Sequence, residues 1–197
     1  MASATSDGCL PNSVQQVAKI LIVGGFGVGK TTMIGSVSEI EPLRTEETMT
    51  EASAGVDDLT HLPGKQRTTV ALDFGRITVT PKLALYLFGA PGQHRFWNAW
   101  EGLAEGAVGA LALVDTRRLN DSFAVLDQLE RYAALPFAVA VNLFPDSRNH
   151  PLPELRDALD LPAHTPLTTC DARDRTSSIT ALIKLVNHAA ELTSTRF

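Results

Sequence analysis

The stretch Gly24-Gly25-Phe26-Gly27-Val28-Gly29-Lys30-Thr31 fits the pattern G-x-x-x-x-G-K-[ST] and follows the apolar run Val17-Ala18-Lys19-Ile20-Leu21-Ile22-Val23. A buried strand that feeds a glycine-rich turn is the setting a phosphate-binding loop needs, because glycines let several backbone N–H groups curl inward onto one anion. Thr31 and Thr32 then open a helix, whose N-terminus adds unpaired N–H groups and partial positive charge. Lys30 is placed to sit over the β- and γ-phosphates of a nucleotide, and the Thr31 hydroxyl to be a ligand to Mg²⁺.

Such a loop calls for companions. A threonine after the first helix can place its hydroxyl on Mg²⁺ and its N–H on a γ-phosphate; Thr69, four residues before Asp73-Phe74, is the candidate, though a plain strand threonine reads the same on spacing. Gln93, following Gly92, stands where a backbone N–H senses a γ-phosphate and an amide orients an attacking water, or else caps a turn.

The elements that would hold these residues alternate strand and helix. A helix is expected over Thr32–Ile40, stopped near Pro42. From Glu39 to Asp58 there are seven acidic residues and one basic residue, Arg44, without periodicity, which reads as a solvated loop in which a switch could also lie. Thr68–Thr80 reads as a strand interrupted near Gly75 and closed by Pro81, and Lys82–Phe88 as its hairpin partner. Gly89-Ala90-Pro91-Gly92-Gln93 breaks that strand, and His94–Glu105 reads as a helix whose Trp97 and Trp100 are either core or a partner-facing patch. Ala107–Val114 is the continuous apolar run of a buried parallel strand, ending in Asp115-Thr116, and Leu119, Phe123 and Leu126 recur at helical spacing after it. Phe137–Val141 (ending at Asn142) and Leu167–Cys170 supply further strands, Pro151–Leu161 a short helix, and Ile179, Leu182, Ile183 and Val186 the inner face of a final helix. The expected fold is an α/β doubly wound sheet of about six strands, mostly parallel with one antiparallel edge strand.

Composition sets the surroundings. With 197 residues, 44% hydrophobic and 20% charged, the chain is expected to form one domain, residues 17–197, behind a disordered tail over residues 1–16. The formal charge of −5 argues against nucleic acid or an anionic membrane as main partner. No apolar stretch is long enough to span a bilayer, and the start resembles no secretory signal. Cys9 and Cys170 imply neither a disulfide framework nor a zinc site, so a cytoplasmic setting is expected. Arg117, Arg118, Arg173 and Arg175 read as a solvated rim.

The order of GGFGVGKTT, TTVALDFG, APGQHRF, Asn142 and Cys170-Asp171-Ala172 resembles the Ras-like small GTPases, and among them the bacterial Mgl-type branch. More narrowly, VGGFGVGKTT, ALDFGRIT, YLFGAPGQHRFW, VDTRRL, AVN and CDARDR resemble the GTPase component of actinobacterial conservons, which is encoded beside a sensor-kinase-like protein and a roadblock-fold protein. The resemblance implies a GTP/GDP switch with Mg²⁺ and those two proteins as partners, any membrane association being peripheral and through them. It implies that Gly24, Gly29, Lys30, Thr31 and Thr32 hold phosphates and Mg²⁺, that Thr69 is the switch-I threonine, and that Gly92 and Gln93 belong to switch II.

Two departures from that pattern matter. Gly89 stands where such chains carry an Asp that holds Mg²⁺ through water, and Asp73 on the neighbouring strand could supply the carboxylate. The base-recognition box N-K-x-D reads Asn142-Leu143-Phe144-Pro145, so the guanine-reading Asp is a Pro and Asp146 comes one residue late. Asn142 can still tie this loop to the phosphate loop, and Asp171-Ala172-Arg173 can still offer an N–H to a base oxygen. Arg67 is the nearest in-chain cation for a γ-phosphate, although a solvated loop arginine is the plainer reading of it, and slow hydrolysis is expected. Two other functions stay open: an ATP-using P-loop protein, and a degenerate nucleotide-binding scaffold acting as an interaction module.

Overall fold

The computed structural model describes residue 10 and residues 13–50, 67–92, 98–131 and 135–194. Its elements are β1 (Gln16–Val23), α1 (Lys30–Val37), β2 (Leu43–Thr50), β3 (Arg67–Thr80), β4 (Leu83–Gly89), α2 (Asn98–Ala104), β5 (Ala107–Val114), α3 (Asn120–Arg131), β6 (Phe137–Asn142), α4 (Leu152–Ala158), β7 (Leu167–Cys170) and α5 (Arg175–Ser194). They build one seven-stranded sheet in the order β2-β3-β4-β1-β5-β6-β7. β4, β1, β5, β6 and β7 run parallel, while β3 is antiparallel to both β4 and β2.

Both faces of the parallel strands are covered, which is why these strands read as unbroken apolar runs. Ile20 and Ile22 face α1 and α5, packing with Met33, Ile34, Leu182 and Leu185. Leu21 and Val23 face the other way, toward Trp100 of α2 and Val125, Leu126 and Leu129 of α3. The loops after β1, β4, β5, β6 and β7 all leave from the carboxyl edge of the sheet, where ligands of open α/β folds bind.

The α/β doubly wound class stands as expected, with one strand more than the sequence suggested. That strand is β2, drawn from the acidic segment expected to be a loop; it lacks an apolar face and is recruited by antiparallel pairing with β3, Leu43 opposite Phe74 and Thr50 opposite Arg67. Residues 51–58 of that segment, and the tail residues 1–9, 11 and 12, lie outside the described residues. β3 also runs unbroken through Gly75: a Cβ there would stand 2.6 Å from the Ile34 side chain, so this glycine admits α1 rather than bending the strand. On α5 the inner face is rotated from the one expected. Ile183 is 39% exposed, while Ser178, Ala181, Leu182 and Leu185 are buried. The small residues let the helix settle close to β5, where Leu185 lies 3.0 Å from the position of a Cβ on Gly109.

Candidate functional site

The phosphate loop spans Gly24 to Gly29 between β1 and α1, and its conformation depends on glycine at Gly29, where φ is 107° and a Cβ would stand 2.6 Å from Asn142 Nδ2. Lys30 opens α1 and folds its side chain back over the loop, Nζ donating to the carbonyls of Gly24 and Gly25 at 2.9 Å each. Burial lowers the Lys30 ammonium to about 8, an effect that the nearby Asp73 charge partly offsets. A half-buried cation held by two carbonyls, with its charge under-compensated, is arranged to accept an anion.

Asp73 supplies the carboxylate of the site. It lies on β3 directly opposite Gly89 of β4, and its Oδ2 accepts a hydrogen bond from the Thr31 hydroxyl. A Cβ on Gly89 would come within 3.0 Å of Asp73 Cβ and 3.2 Å of Asp73 Oδ2, so the two positions compete for one space and the acid occupies it from β3. Gly92 closes the site from above: a Cβ there would meet the Gly24 carbonyl at 2.7 Å and Lys30 Nζ at 2.8 Å. Gln93 and Trp97 lie outside the described residues. Trp100 is core, 1% exposed, with its indole N–H donating to the Pro91 carbonyl at 3.1 Å.

Thr69 is not brought to this group. It sits within β3 opposite Thr48, about 13 Å along the strand from Asp73 at roughly 3.3 Å per residue. Arg67 likewise begins β3, opposite Thr50, rather than lying in a loop.

On the other flank, buried Asn142 joins two loops: its Nδ2 donates to the Val28 carbonyl at 2.9 Å, and its Oδ1 accepts from the Ala172 N–H at 2.9 Å. The amides around Ala172 are all engaged here. Asp171 N–H donates to Ser177 Oγ and Arg173 N–H to the Asp171 carboxylate, both at 2.9 Å. None of the three is therefore open to a base oxygen in this arrangement, contrary to expectation. Hydrogen bonds from the Arg173 guanidinium hold the Asp171 carboxyl down at about 2.

Arg117 and Arg118 are exposed, as expected of a solvated rim, and both are also engaged in specific contacts. Asp115, immediately after β5, is 3% exposed. Burial would raise its carboxyl, but hydrogen bonds from Arg117 outweigh that and leave it below the usual range. Arg117 Nε and Nη2 bond both Asp115 oxygens, at 2.9 and 2.8 Å, and Nη1 reaches Asp146 at 2.7 Å. The guanidinium lies 3.6 Å from the centre of the Phe144 ring. Arg118 Nη2 donates to the Phe26 carbonyl in the phosphate loop at 2.8 Å. The sequence held a signal for this: an apolar strand ending in an Asp that the fold must bury calls for a nearby cation, and two arginines follow it at once.

The hard oxygens of Thr31 and Asp73 suit Mg²⁺, which is commonly held by one or two side chains with substrate phosphates supplying the rest. Among the described residues no group of three or more His, Cys, Asp or Glu could hold a metal ion by itself. No helix among them is long and apolar enough to cross a membrane.

Among solved structures, the G domain of the T. maritima FeoB iron transporter is similar at 17% identity, with 89% of this chain and 98% of that one covered and a TM-score of 0.59. The cytosolic domain of the T. maritima FeoB iron transporter in a GDP form is similar at 16% identity, with 89% of this chain and 64% of that one covered and a TM-score of 0.60. At these identities the likeness is one of fold. No curated protein matches the sequence. The family described as "Conserved hypothetical ATP binding protein" matches residues 22–192, from the end of β1 through almost all of α5, and the chain belongs to this family.

Proposed function

We propose that this chain is a small GTP-binding protein that acts as a GDP/GTP-dependent switch, hydrolyses GTP slowly, and works in a bacterial signalling system of the Mgl-type, conservon branch. The observation that carries this reading is the grouping of Lys30, Thr31 and Asp73 around a glycine-rich loop at the carboxyl edge of the sheet. Lys30 and the loop amides would bind the phosphates, and Thr31 and Asp73 would hold Mg²⁺, which supplies charge neutralisation when bound. Gln93 would orient water. Thr69 would join the metal only if its end of β3 left the ladder with β2 and turned back toward the phosphate loop. The expected partners are a roadblock-fold regulatory protein and a sensor-kinase-like protein, and the setting is the cytoplasm.

A second reading, use of ATP or weak base discrimination, is favoured by Pro145 in the base-recognition box, by the engaged amides of 171–173, and by the family's description. Calorimetric titration with GDP, GTP, ADP and ATP, together with chromatography of any nucleotide that copurifies, separates the two. Preference for guanine nucleotides supports the switch, equal affinity or adenine preference supports the second reading, and no binding rejects both.

A further inference from the structure

We infer that Arg118 is a positioning residue for the phosphate loop, holding the Phe26 carbonyl outward so that the Gly27 amide is aimed at the bound polyphosphate. The inference rests on the nucleotide-binding reading above and adds a residue to it. In a trans peptide the C=O and the following N–H point in opposite directions, so whatever fixes one carbonyl fixes the next amide. Two side chains grip alternate carbonyls of this loop: Asn142 takes Val28 at 2.9 Å and Arg118 takes Phe26 at 2.8 Å. The amides paired with those carbonyls belong to Gly29 and Gly27, whose φ values of 107° and 75° allow the alternating turn.

Arg118 is itself held from outside the loop. Its Nε lies 3.8 Å from the buried Asp115 carboxylate and its Nη1 3.8 Å from Asp121 on α3, while Lys30 spans the loop through Gly24 and Gly25. A Cβ on Gly27 would stand 3.4 Å from Arg118 Nη2, which places the guanidinium beside the very peptide it orients. Being tied at its β5 end, Arg118 acts on the nucleotide through the loop backbone and not by touching phosphate.

The test uses the full-length protein with GDP and Mg²⁺, measured by calorimetry, by ³¹P NMR of bound GDP, and by thermal melting without nucleotide. Arg118→Ala should weaken GDP about tenfold, the size expected for losing one charge-assisted hydrogen bond. It should also move the β-phosphorus resonance, which a merely stabilising role would leave in place, and lower the melting temperature of the nucleotide-free protein only slightly, by the loss of the part-exposed contacts to Phe26, Asp115 and Asp121. Arg118→Lys, which can still donate to the Phe26 carbonyl, should recover part of the affinity. Wild-type affinity with an unmoved β-phosphorus resonance in Arg118→Ala overturns the inference. So does a loss matched by an equal drop in nucleotide-free melting, which would make Arg118 a stabilising residue only. Failure of the wild-type chain to bind GDP overturns the nucleotide reading itself.

Discussion

The Thr31 hydroxyl donates to a carboxylate oxygen of Asp73, joining the first turn of α1 to a strand two places away in the sheet. Because Asp73 faces Gly89 across the ladder, the acid reaches the phosphate site from β3 while β4 contributes only backbone there. A chain lacking an acid at residue 89 thereby keeps a carboxylate beside the Thr31 hydroxyl.

Asp73→Ala is therefore expected to remove most of the Mg²⁺ dependence of GDP affinity. Titrations with Mg²⁺ and with a chelator should differ at least tenfold for the wild type and by little for the variant. Moving the acid back, in the double variant Asp73→Gly/Gly89→Asp, should restore part of the dependence, since it removes both Asp73 atoms that a Cβ at 89 would crowd and leaves only the end of the Ile34 side chain, at 3.1 Å, to give way. An undiminished Mg²⁺ effect in Asp73→Ala would reject Asp73 as a metal donor.

Lys30 gives a pH signature. Its ammonium is lowered to about 8 in the nucleotide-free protein, and a bound polyphosphate favours the charged form. Binding must then take up a proton above that pH, so affinity should be flat from about pH 7 to 7.5 and fall with a slope approaching tenfold per unit beyond about 8. The linked stability effect has the opposite sign. The unfolded chain binds more protons than the folded one between the lowered value and the ordinary lysine value of 10.5, so nucleotide-free stability gains a favourable contribution as pH rises through that window. Pre-steady-state or equilibrium binding at pH 7 to 9 measures the first effect; an affinity that does not change over that range contradicts it.

Base recognition can be strengthened by design. Pro145 carries no side-chain acceptor, and Asp146 is held by Arg117 at 2.7 Å. Pro145→Asp should raise the preference for GDP over ADP by roughly tenfold or more, the value of a bidentate charge-assisted pair. Equal ratios in the variant and the wild type would place the base elsewhere.

Trp100 is a structural residue and should behave as one. Its truncation in Trp100→Ala should cost about 3–5 kcal/mol of stability, visible as a lower denaturation midpoint. Trp100→Phe, which keeps one aromatic ring but loses the pyrrole part of the indole and with it the bond to the Pro91 carbonyl, should cost less, about 1–3 kcal/mol. A Trp100→Ala protein as stable as the wild type would contradict burial of the indole.

The phosphate loop, the five parallel strands and the position of Asn142 were legible because each rests on local chemistry: glycines before a Lys-Thr pair, or apolar runs ending at one edge of the sheet. β2 was not, since an edge strand of sequence LRTEETMT is set by what it pairs with and not by its own pattern. The same limit applied to Arg118. Its partner is a backbone carbonyl 92 residues away, and nothing in side-chain periodicity registers a bond to a carbonyl. Thr69 shows the converse: its spacing suited a switch threonine, but pairing with Thr48 keeps it in the ladder.

The proposed switch requires that Lys30 and the loop amides bind a nucleoside polyphosphate. Calorimetric titration of the purified protein with GDP and GTP in Mg²⁺, beside Lys30→Met, tests it most directly. Saturable one-to-one binding by the wild type and none by the variant is expected; absence of binding in the wild type, or equal binding in both, would refute nucleotide binding at this loop.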